Sequence, residues 1–147
     1  MSEDRKVAII TGSSQGLGAS IAIKLSQRNI NLVINYSNNK DMALKIKDEC
    51  INNGVEAITV QADVSSDDDC KKLVQETLNI FGKVDILVNN AGTTKFADHS
   101  KLDKLSDEDF INIYKVNVIG PYQMIRAVEP IMKKNGFGSV VNISSIA

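Results

Sequence analysis

Residues 6–18 read Lys6-Val-Ala-Ile-Ile-Thr-Gly-Ser-Ser-Gln-Gly-Leu-Gly18. The apolar run at 7–10 is typical of a parallel strand that helices cover on both faces. Three glycines then permit backbone geometry that side chains forbid. Gly12 allows a tight turn, Gly16 the close approach of a phosphate, and Gly18 the close packing of a helix on the sheet. Because a helix N-terminus presents free N–H groups, the stretch predicts a nucleotide-binding turn.

The glycine spacing leaves one alternative open. It is Gly-x-x-x-Gly-x-Gly, whereas the commonest dinucleotide fingerprint is Gly-x-Gly-x-x-Gly. Taken alone, the pattern also fits a strand-to-helix turn that binds nothing, because short glycine patterns recur by chance. The motifs further along the chain decide between a ligand site and a plain turn.

Length and charge restrict the class of protein. The 147 residues include 17 Lys plus Arg and 18 Asp plus Glu, which predicts one domain, residues 1–147, and no binding to nucleic acid or an anionic membrane. No apolar run approaches the roughly 20 residues of a membrane span. The charged N-terminus contains no apolar signal segment, so we expect a cytoplasmic protein that acts on a small molecule.

The cysteines and the histidine predict no chemistry. Cys50 and Cys70 lie on separate predicted helices without metal-ligand spacing, so we expect partly buried, inert thiols and no metal site. His99 stands in a polar loop between Asp98 and Ser100, where a surface role is expected rather than that of a catalytic base.

Short apolar segments alternate with segments of helical periodicity along the chain. This alternation predicts an α/β fold, a Rossmann-like doubly wound parallel sheet of strand order 3-2-1-4-5 between two helical layers. Ligands of such sheets bind beyond the carboxyl ends of the strands, at the switch point between strands one and four. The predicted strands are residues 7–10, 32–34, 57–60, 84–88 and 139–143, and the predicted helices are residues 17–28, 42–50, 66–81 and 106–134.

Capping residues predict where the last two helices begin. Ser66 and Ser106 each stand three positions before an aspartate, which is the spacing of a capping box. The second helix is expected to be long, with a kink at Gly120-Pro121, because proline lacks the backbone N–H and clashes with the preceding turn.

Four motifs follow the ends of the predicted strands. They are Thr11-Gly-x-x-x-Gly-x-Gly18, Asp63-Val64, Asn89-Asn-Ala-Gly92 and Asn142-Ile-Ser-Ser145. Together they resemble the short-chain dehydrogenase/reductase family, and are most similar to its 3-oxoacyl-carrier-protein reductase and glucose dehydrogenase branches. The resemblance covers residues 6–147 and favours a ligand site over a plain turn. It implies an NAD(P)(H)-dependent oxidoreductase that transfers hydride between nicotinamide and an alcohol or ketone, such as a 3-oxoacyl thioester.

The resemblance also implies the roles of individual residues. Asp63 and Val64 would contact the adenine. Asn90, Ala91 and Gly92 would line the ribose. The Ser145 hydroxyl would hydrogen-bond the substrate oxygen where charge develops, and Asn117 would help to hold a water of a proton relay. As alternatives, Ser145 could cap a helix and Asn117 could bond backbone. The full set of implied cofactor-binding residues is Gly12, Ser13, Ser14, Gln15, Gly16, Leu17, Gly18, Asn35, Tyr36, Ser37, Asp63, Val64, Asn90, Ala91 and Gly92.

The proton donor of the resembled family lies outside the sequence. It is a tyrosine whose pKa is lowered by a lysine four residues later, about 13 or more residues beyond Ser145. Tyr36-Ser-Asn-Asn-Lys40 has the same spacing, but it follows strand two, so we interpret it as coincidence. The 147-residue chain is therefore expected to be inactive by itself. The alternative function is a dinucleotide-binding module without catalysis.

The end of strand two predicts the cofactor. Asn35, Tyr36 and Ser37 stand where an acidic residue would bond the ribose 2′-hydroxyl and repel a 2′-phosphate. We therefore expect NADP(H) to be preferred, with NAD(H) as the alternative. On this reasoning an Asn35→Asp change would shift the preference toward NAD(H).

Uncovered apolar residues predict association. Ile125, Val128, Ile131, Met132 and the last strand are expected to lack covering elements, so that this surface aggregates or meets another chain. By resemblance to the family, a homo-oligomer, dimer or tetramer, is expected.

Overall fold

The computed structural model describes residues 5–145, and predictions about residues 1–4 and 146–147 lie outside the described residues. Its sheet has the order β3-β2-β1-β4-β5, and every neighbouring pair is parallel. The predicted doubly wound fold and strand order are therefore confirmed. The elements are β1 Val7–Ile10, α1 Gly16–Ser26, β2 Asn31–Tyr36, α2 Lys40–Asn52, β3 Ala57–Gln61, α3 Asp67–Phe81, β4 Ile86–Asn89, a 3-10 turn Leu102–Lys104, α4 Asp107–Tyr114, a π turn Lys115–Ile119, α5 Gly120–Asn135 and β5 Ser139–Asn142.

The core consists of two clusters, one on each face of the sheet. Ala8 and Ile10 of β1 face one cluster, together with apolar residues of α1 and α2. Val7 and Ile9 face the other, which includes residues of α3 and α5. Because successive side chains of a strand point to opposite faces, β1 is apolar throughout and buried on both sides.

β2 is longer than predicted. It also includes Asn31, Asn35 and Tyr36, whose polar side chains favoured loops on either side of the predicted strand. All six residues of β2 are buried. The Asn31 side chain accepts a hydrogen bond from the Glu56 N–H at 3.0 Å. A buried asparagine is tolerated here because its polar atoms have partners.

The two capping signatures differ in the structure. Ser106 and Asp109 form a complete capping box. The Ser66 hydroxyl accepts from the Asp69 N–H at 3.3 Å, but the Asp69 carboxylate accepts from the backbone N–H of Asp63 at 2.8 Å. The acidic residue of the first signature thus fixes the loop after β3.

The kink predicted at Gly120-Pro121 stays a prediction, but an irregular turn does lie beside these residues. The irregularity lies one turn earlier, in the π turn Lys115–Ile119, and Pro121 stands in the first turn of α5. The helical backbone continues from α4 through the π turn into α5, so the missing N–H of Pro121 falls directly after the point where the hydrogen-bond pattern changes. A Cβ at Gly120 would lie 2.8 Å from Val64 Cγ2, so the start of α5 sits directly on the β3–α3 loop.

The expectation of an uncovered α5 is only partly correct. Val128 and Met132 are buried in the α3/α5 cluster, because α5 packs against α3 and the sheet. Val140, Val141 and Ile143 are 41%, 44% and 39% exposed. An apolar groove of about 430 Å³ separates α5 from β5. No helix within residues 5–145 is long and apolar enough to cross a bilayer.

Candidate functional site

The glycine turn between β1 and α1 is packed behind and open in front. A Cβ at Gly18 would lie 2.4 Å from Asn90 Nδ2, and one at Gly12 would lie 2.9 Å from the Ala91 Cα. At Gly16, where φ is +58°, a Cβ would meet nothing within 4 Å. Gly12 and Gly18 therefore permit close packing on the strand-four loop, and Gly16 leaves space beside the N-terminus of α1.

A hydrogen-bond lock joins the ends of β1 and β4. The Thr11 hydroxyl accepts from the N–H groups of Asn90 and Ala91, both at 3.0 Å. In the other direction, Asn90 Nδ2 donates to the carbonyls of Thr11 at 3.0 Å and Gly12 at 3.1 Å. The two motifs predicted to meet at the switch point are therefore in direct contact.

Asn35 belongs to the lining of the predicted site, but its side-chain amide is hydrogen-bonded within the protein. The residue is 2% exposed. Its Oδ1 accepts from the Gly12 N–H at 2.9 Å, and its Nδ2 donates to the carbonyls of Ala62 at 3.0 Å and Val60 at 3.3 Å. Asn35 thus ties the glycine turn to the end of β3, and both ends of its amide have partners.

Of the residues beside Asn35, Ser13 and Tyr36 are buried and Ser37 is exposed. Ser13 is fully buried, and its hydroxyl donates to the Ile10 carbonyl at 2.7 Å and accepts from the Asn35 N–H at 3.1 Å. Tyr36 is buried in the α1/α2 cluster. Ser37 is exposed, so it is the side chain at the end of β2 that is free to face a ligand.

The loop after β3 is held from three sides. The Asp69 carboxylate accepts from the Asp63 N–H. Gln123 Nε2 and the Cys70 thiol donate to the Val64 carbonyl at 2.8 and 3.3 Å. Burial raises the pKa of the Cys70 thiol to about 12, with a further contribution from nearby carboxylates. Both cysteines are buried and free, as inert structural thiols should be.

The Asn117 side chain forms hydrogen bonds to the backbone, as the structural alternative for an asparagine at this position allowed. Its Oδ1 accepts from the Thr93 N–H and its Nδ2 donates to the Thr93 carbonyl, both at 2.8 Å. It belongs to the π turn, so the irregular turn is anchored to the segment that continues from Gly92. Ser145 is exposed and follows the carboxyl end of β5, the edge where the register Asn89↔Asn142 brings β4 and β5 together.

These loops enclose a cavity of about 880 Å³ at the carboxyl ends of the strands. Its size suits a bound small molecule. Its described lining brings together most of the predicted cofactor residues. Those present are Gly12, Ser14, Gln15, Gly16, Asn35, Tyr36, Ser37, Asp63, Val64, Asn90, Ala91 and Gly92.

Five predicted residues are not among the described lining residues of this cavity. Ser13 and Gly18 are buried behind the turn, while Leu17 is exposed on α1. Asn117 reaches the cavity through Thr93, which does line it. Ser145 lies beyond the lining on the β5 side.

The sequence and the fold are matched by known proteins. The family model described as short chain dehydrogenase matches residues 6–147, which is nearly the whole chain. The chain belongs to the short-chain dehydrogenase family.

Relatives within the family cover almost all of this chain. It is 36% identical over 141 residues to the 3-oxoacyl-[acyl-carrier-protein] reductase FabG of Staphylococcus epidermidis, which covers 96% of this chain and 57% of the reductase. A metagenomic short-chain oxidoreductase solved in complex with NADP superposes with a TM-score of 0.87 at 32% identity, covering 97% of this chain and 62% of that one. NAD⁺-bound xylitol dehydrogenase gives 0.88 at 29% identity, covering 97% and 54%.

The chain therefore spans little more than half the length of the curated family member it matches. The fold of that part, with its sheet order and glycine turn, is the fold of the family.

Sequence reasoning missed several residues that line the cavity. They lie at the end of a strand, in the segment after it, or on facing turns of α3, α4 and the π turn, and the signal that could have found the first two groups is their proximity to strand ends. They are Asn38, Asn39, Gln61, Ala62, Asp69, Lys72, Thr93, Asn112 and Val116.

The charges of the cavity are few. Among its described lining residues, Asp63 and Asp69 are acidic and Lys72 is the single cation. Within residues 5–145 no group of three or more His, Cys, Asp or Glu side chains is arranged to hold a metal ion.

Proposed function

We propose that this chain is the cofactor-binding part of an NADP(H)-dependent alcohol/ketone oxidoreductase. The observation that carries the proposal is the glycine turn locked by Thr11 and Asn90, with Gly16 open toward the cavity of about 880 Å³. A helix N-terminus beside open backbone is suited to a phosphate. Family membership supports an oxidoreductase.

The residues present fit a dinucleotide. Gly12, Ser14 and Gly16 would hold the pyrophosphate, and Asp63 and Val64 would face the adenine. Ala91 and Gly92 would lie along the ribose. The bound nicotinamide would supply hydride chemistry, and the chain would bind, orient and shield it. Titration of the 147-residue chain with NADPH, followed by the change in nicotinamide fluorescence, tests this assignment, and absence of binding would refute it.

NADP(H) is the cofactor we propose, because the ribose end of the cavity has no acidic residue on its β2 side. Ser37, Asn38 and Asn39 line it there, and a 2′-phosphate would meet polar, uncharged groups. Competition between NADPH and NADH for the same chain tests the preference, and tighter binding of NADH would contradict it.

We propose that Ser145 and Asn117 act on the substrate side. The Ser145 hydroxyl would donate to the substrate carbonyl oxygen as negative charge develops on it. Asn117, bonded to Thr93, would fix the π turn beside the nicotinamide end. A 3-oxoacyl thioester is the substrate class suggested by the name of the Staphylococcus relative.

A binding module without catalysis is the second candidate function. The observation that favours it is the place of the Tyr36–Lys40 pair, because Tyr36 is buried in the α1/α2 cluster and cannot donate a proton to a carbonyl near Ser145. We propose that residues 1–147 bind cofactor without turnover. NADPH oxidation with a panel of ketones, measured for this chain and for a version extended through a tyrosine and lysine after Ser145, separates the two functions. Equal turnover by both would refute the inactivity of the shorter chain.

We further propose a cytosolic homo-oligomer. An exposed apolar stripe on α4, the π turn and α5 supports association, with Ile111 53%, Tyr114 58%, Val118 48% and Tyr122 61% exposed. Two free thiols suit a reducing compartment. Light scattering after gel filtration measures the oligomeric state, and a monomer at working concentration would contradict the proposal.

A further inference from the structure

The β2–α2 loop is fixed at both of its ends. β2 and β3 pair in parallel as far as Tyr36↔Gln61. One residue beyond this last pair, Gln61 Nε2 donates to the Ser37 carbonyl at 2.8 Å, so the side chain supplies a further rung after the backbone ladder has ended. At the other end, the Asn39 side chain accepts from the Met42 N–H at 3.2 Å and caps α2.

The loop between these two points lines the cavity. Ser37, Asn38, Asn39 and Gln61 all belong to its wall. The second strand of a dinucleotide fold ends beside the adenosine ribose, whose 2′-position distinguishes the two nicotinamide cofactors. This loop therefore faces the group that decides cofactor choice.

No arginine or lysine of residues 37–39 is available for a 2′-phosphate. Lys40 begins α2 directly after the loop and Lys72 is the cation of the described cavity lining, so a cation would have to reach the phosphate from outside residues 37–39. The donors of the loop itself are neutral, namely a hydroxyl, side-chain amides and backbone N–H groups. A neutral donor contributes only when its direction is right, because hydrogen bonds weaken steeply away from linearity. The position of the loop thus matters more than it would for an arginine, whose charge acts over a longer range.

We propose that Gln61 is a positioning residue for cofactor selectivity, which holds Ser37 and the loop after it in place to receive the 2′-phosphate of NADP(H). The proposal rests on the proposed function, since it presupposes that the cavity binds a dinucleotide. Gln61 is exposed, and the hydrogen bond to the Ser37 carbonyl lies at the cavity wall, so its removal alters the loop without opening the core.

Two nucleotides that differ only in the 2′-phosphate test the proposal. Adenosine 2′,5′-bisphosphate and 5′-AMP are titrated by calorimetry into the wild-type chain and into Gln61→Leu, which removes the donor and adds no charge. Gln75→Leu is the matched control, because the Gln75 side chain donates to Asn79 on the exposed surface of α3, away from the cavity. Loss of one neutral hydrogen bond corresponds to about three- to tenfold in affinity.

We expect Gln61→Leu to weaken adenosine 2′,5′-bisphosphate by about three- to tenfold and 5′-AMP by less than about twofold. Gln75→Leu should change neither. Gln61→Glu should weaken the bisphosphate more than Gln61→Leu does, because it adds a negative charge near the phosphate. All three variants should unfold near the wild-type temperature, as exposed positions allow.

An equal loss for both nucleotides, or no loss for either, would overturn the role of Gln61 while leaving the cofactor assignment intact. A loss in Gln61→Glu without a loss in Gln61→Leu would also overturn it, since charge alone would then explain the effect. A wild-type chain that binds neither nucleotide would refute the proposed function and this inference together.

Discussion

Replacing Asn35 by aspartate separates two views of the end of β2. If Asn35 faced the cofactor ribose, the new carboxylate would select NAD(H). The structure indicates a different outcome, because the Asn35 amide donates to the Ala62 and Val60 carbonyls and is 2% exposed. A carboxylate has no N–H to donate, and it would bring its negative charge against both oxygens.

The magnitude follows from these contacts. Two buried carbonyls lose their donor, at roughly 1–3 kcal/mol each, so we expect Asn35→Asp to lower the free energy of unfolding by about 2–6 kcal/mol. For a chain of this size that corresponds to a fall of roughly 5–20 °C in melting temperature.

The loss should depend on pH in a defined direction. Burial and the two carbonyls raise the folded-state pKa of the introduced carboxyl above its ordinary value. Below its unfolded-state pKa the group is protonated in both states, so no charge penalty arises. The penalty grows as the pH rises from that pKa to the folded-state pKa, and it is complete above. The variant should therefore be closer to wild type at pH 5 than at pH 7.

Thermal unfolding followed by circular dichroism measures both effects. Ser37→Asp is the matched control, because it places the same carboxylate on an exposed position two residues later. It should keep the wild-type melting temperature and weaken NADPH binding. An Asn35→Asp chain that melts like wild type and has switched its preference to NADH would refute this reasoning.

Three further predictions concern packing, thiol chemistry and activity. Gly18→Ala should lower the free energy of unfolding by about 2–4 kcal/mol, because its Cβ would lie 2.6 Å from the Gly12 carbonyl oxygen. Gly16→Ala meets only backbone strain at φ +58°, so it should lower the free energy of unfolding by about 1–2 kcal/mol. Urea unfolding measures both. Cys70 should not react with Ellman's reagent at pH 8 until the chain unfolds, since burial raises its pKa to about 12. The 147-residue chain should bind NADPH and oxidise none of it with ketones, as followed by absorbance.

Each of these has a result that contradicts it. Equal destabilisation by the two glycine variants would mean that strain, and not the close approach to the strand-four loop, dominates the turn. Labelling of Cys70 at the rate of the denatured chain would mean that the β3–α3 loop opens readily. Ketone reduction by the chain would require a proton donor among its own residues.

Much of the fold could be predicted because burial on both faces leaves a strong apolar signal. Val7–Ile10 and the glycines after it specify a strand, a turn and a helix without reference to the rest of the chain. The extent of β2 could not be predicted, because Asn31 and Asn35 are polar residues whose partners lie far away in sequence. The π turn Lys115–Ile119 could not be predicted either, because the spacing of apolar residues in this segment is that of an ordinary α-helix.

The site was predicted as a set of loops and less well as a set of side chains. The contact of the glycine turn with Asn90 follows from strand order, because the carboxyl ends of neighbouring parallel strands share an edge. Asn35, Tyr36 and Ser37 are all predicted cofactor residues, and among the three only Ser37 is exposed. Sequence could not separate them, because β2 is buried on both faces up to its last residue.

The division of the core between the two faces of the sheet sets an order for folding during synthesis. Every residue of the α1/α2 cluster lies between Ala8 and Val88, so the ribosome has made all of that face before it translates α4. The opposite face must await Met124, Val128 and Met132 of α5. A nascent chain that has emerged to residue 88 can therefore complete the α1/α2 face of its sheet while the opposite face, which already has α3, still lacks α5. That incomplete face is where a chaperone would find apolar surface to bind.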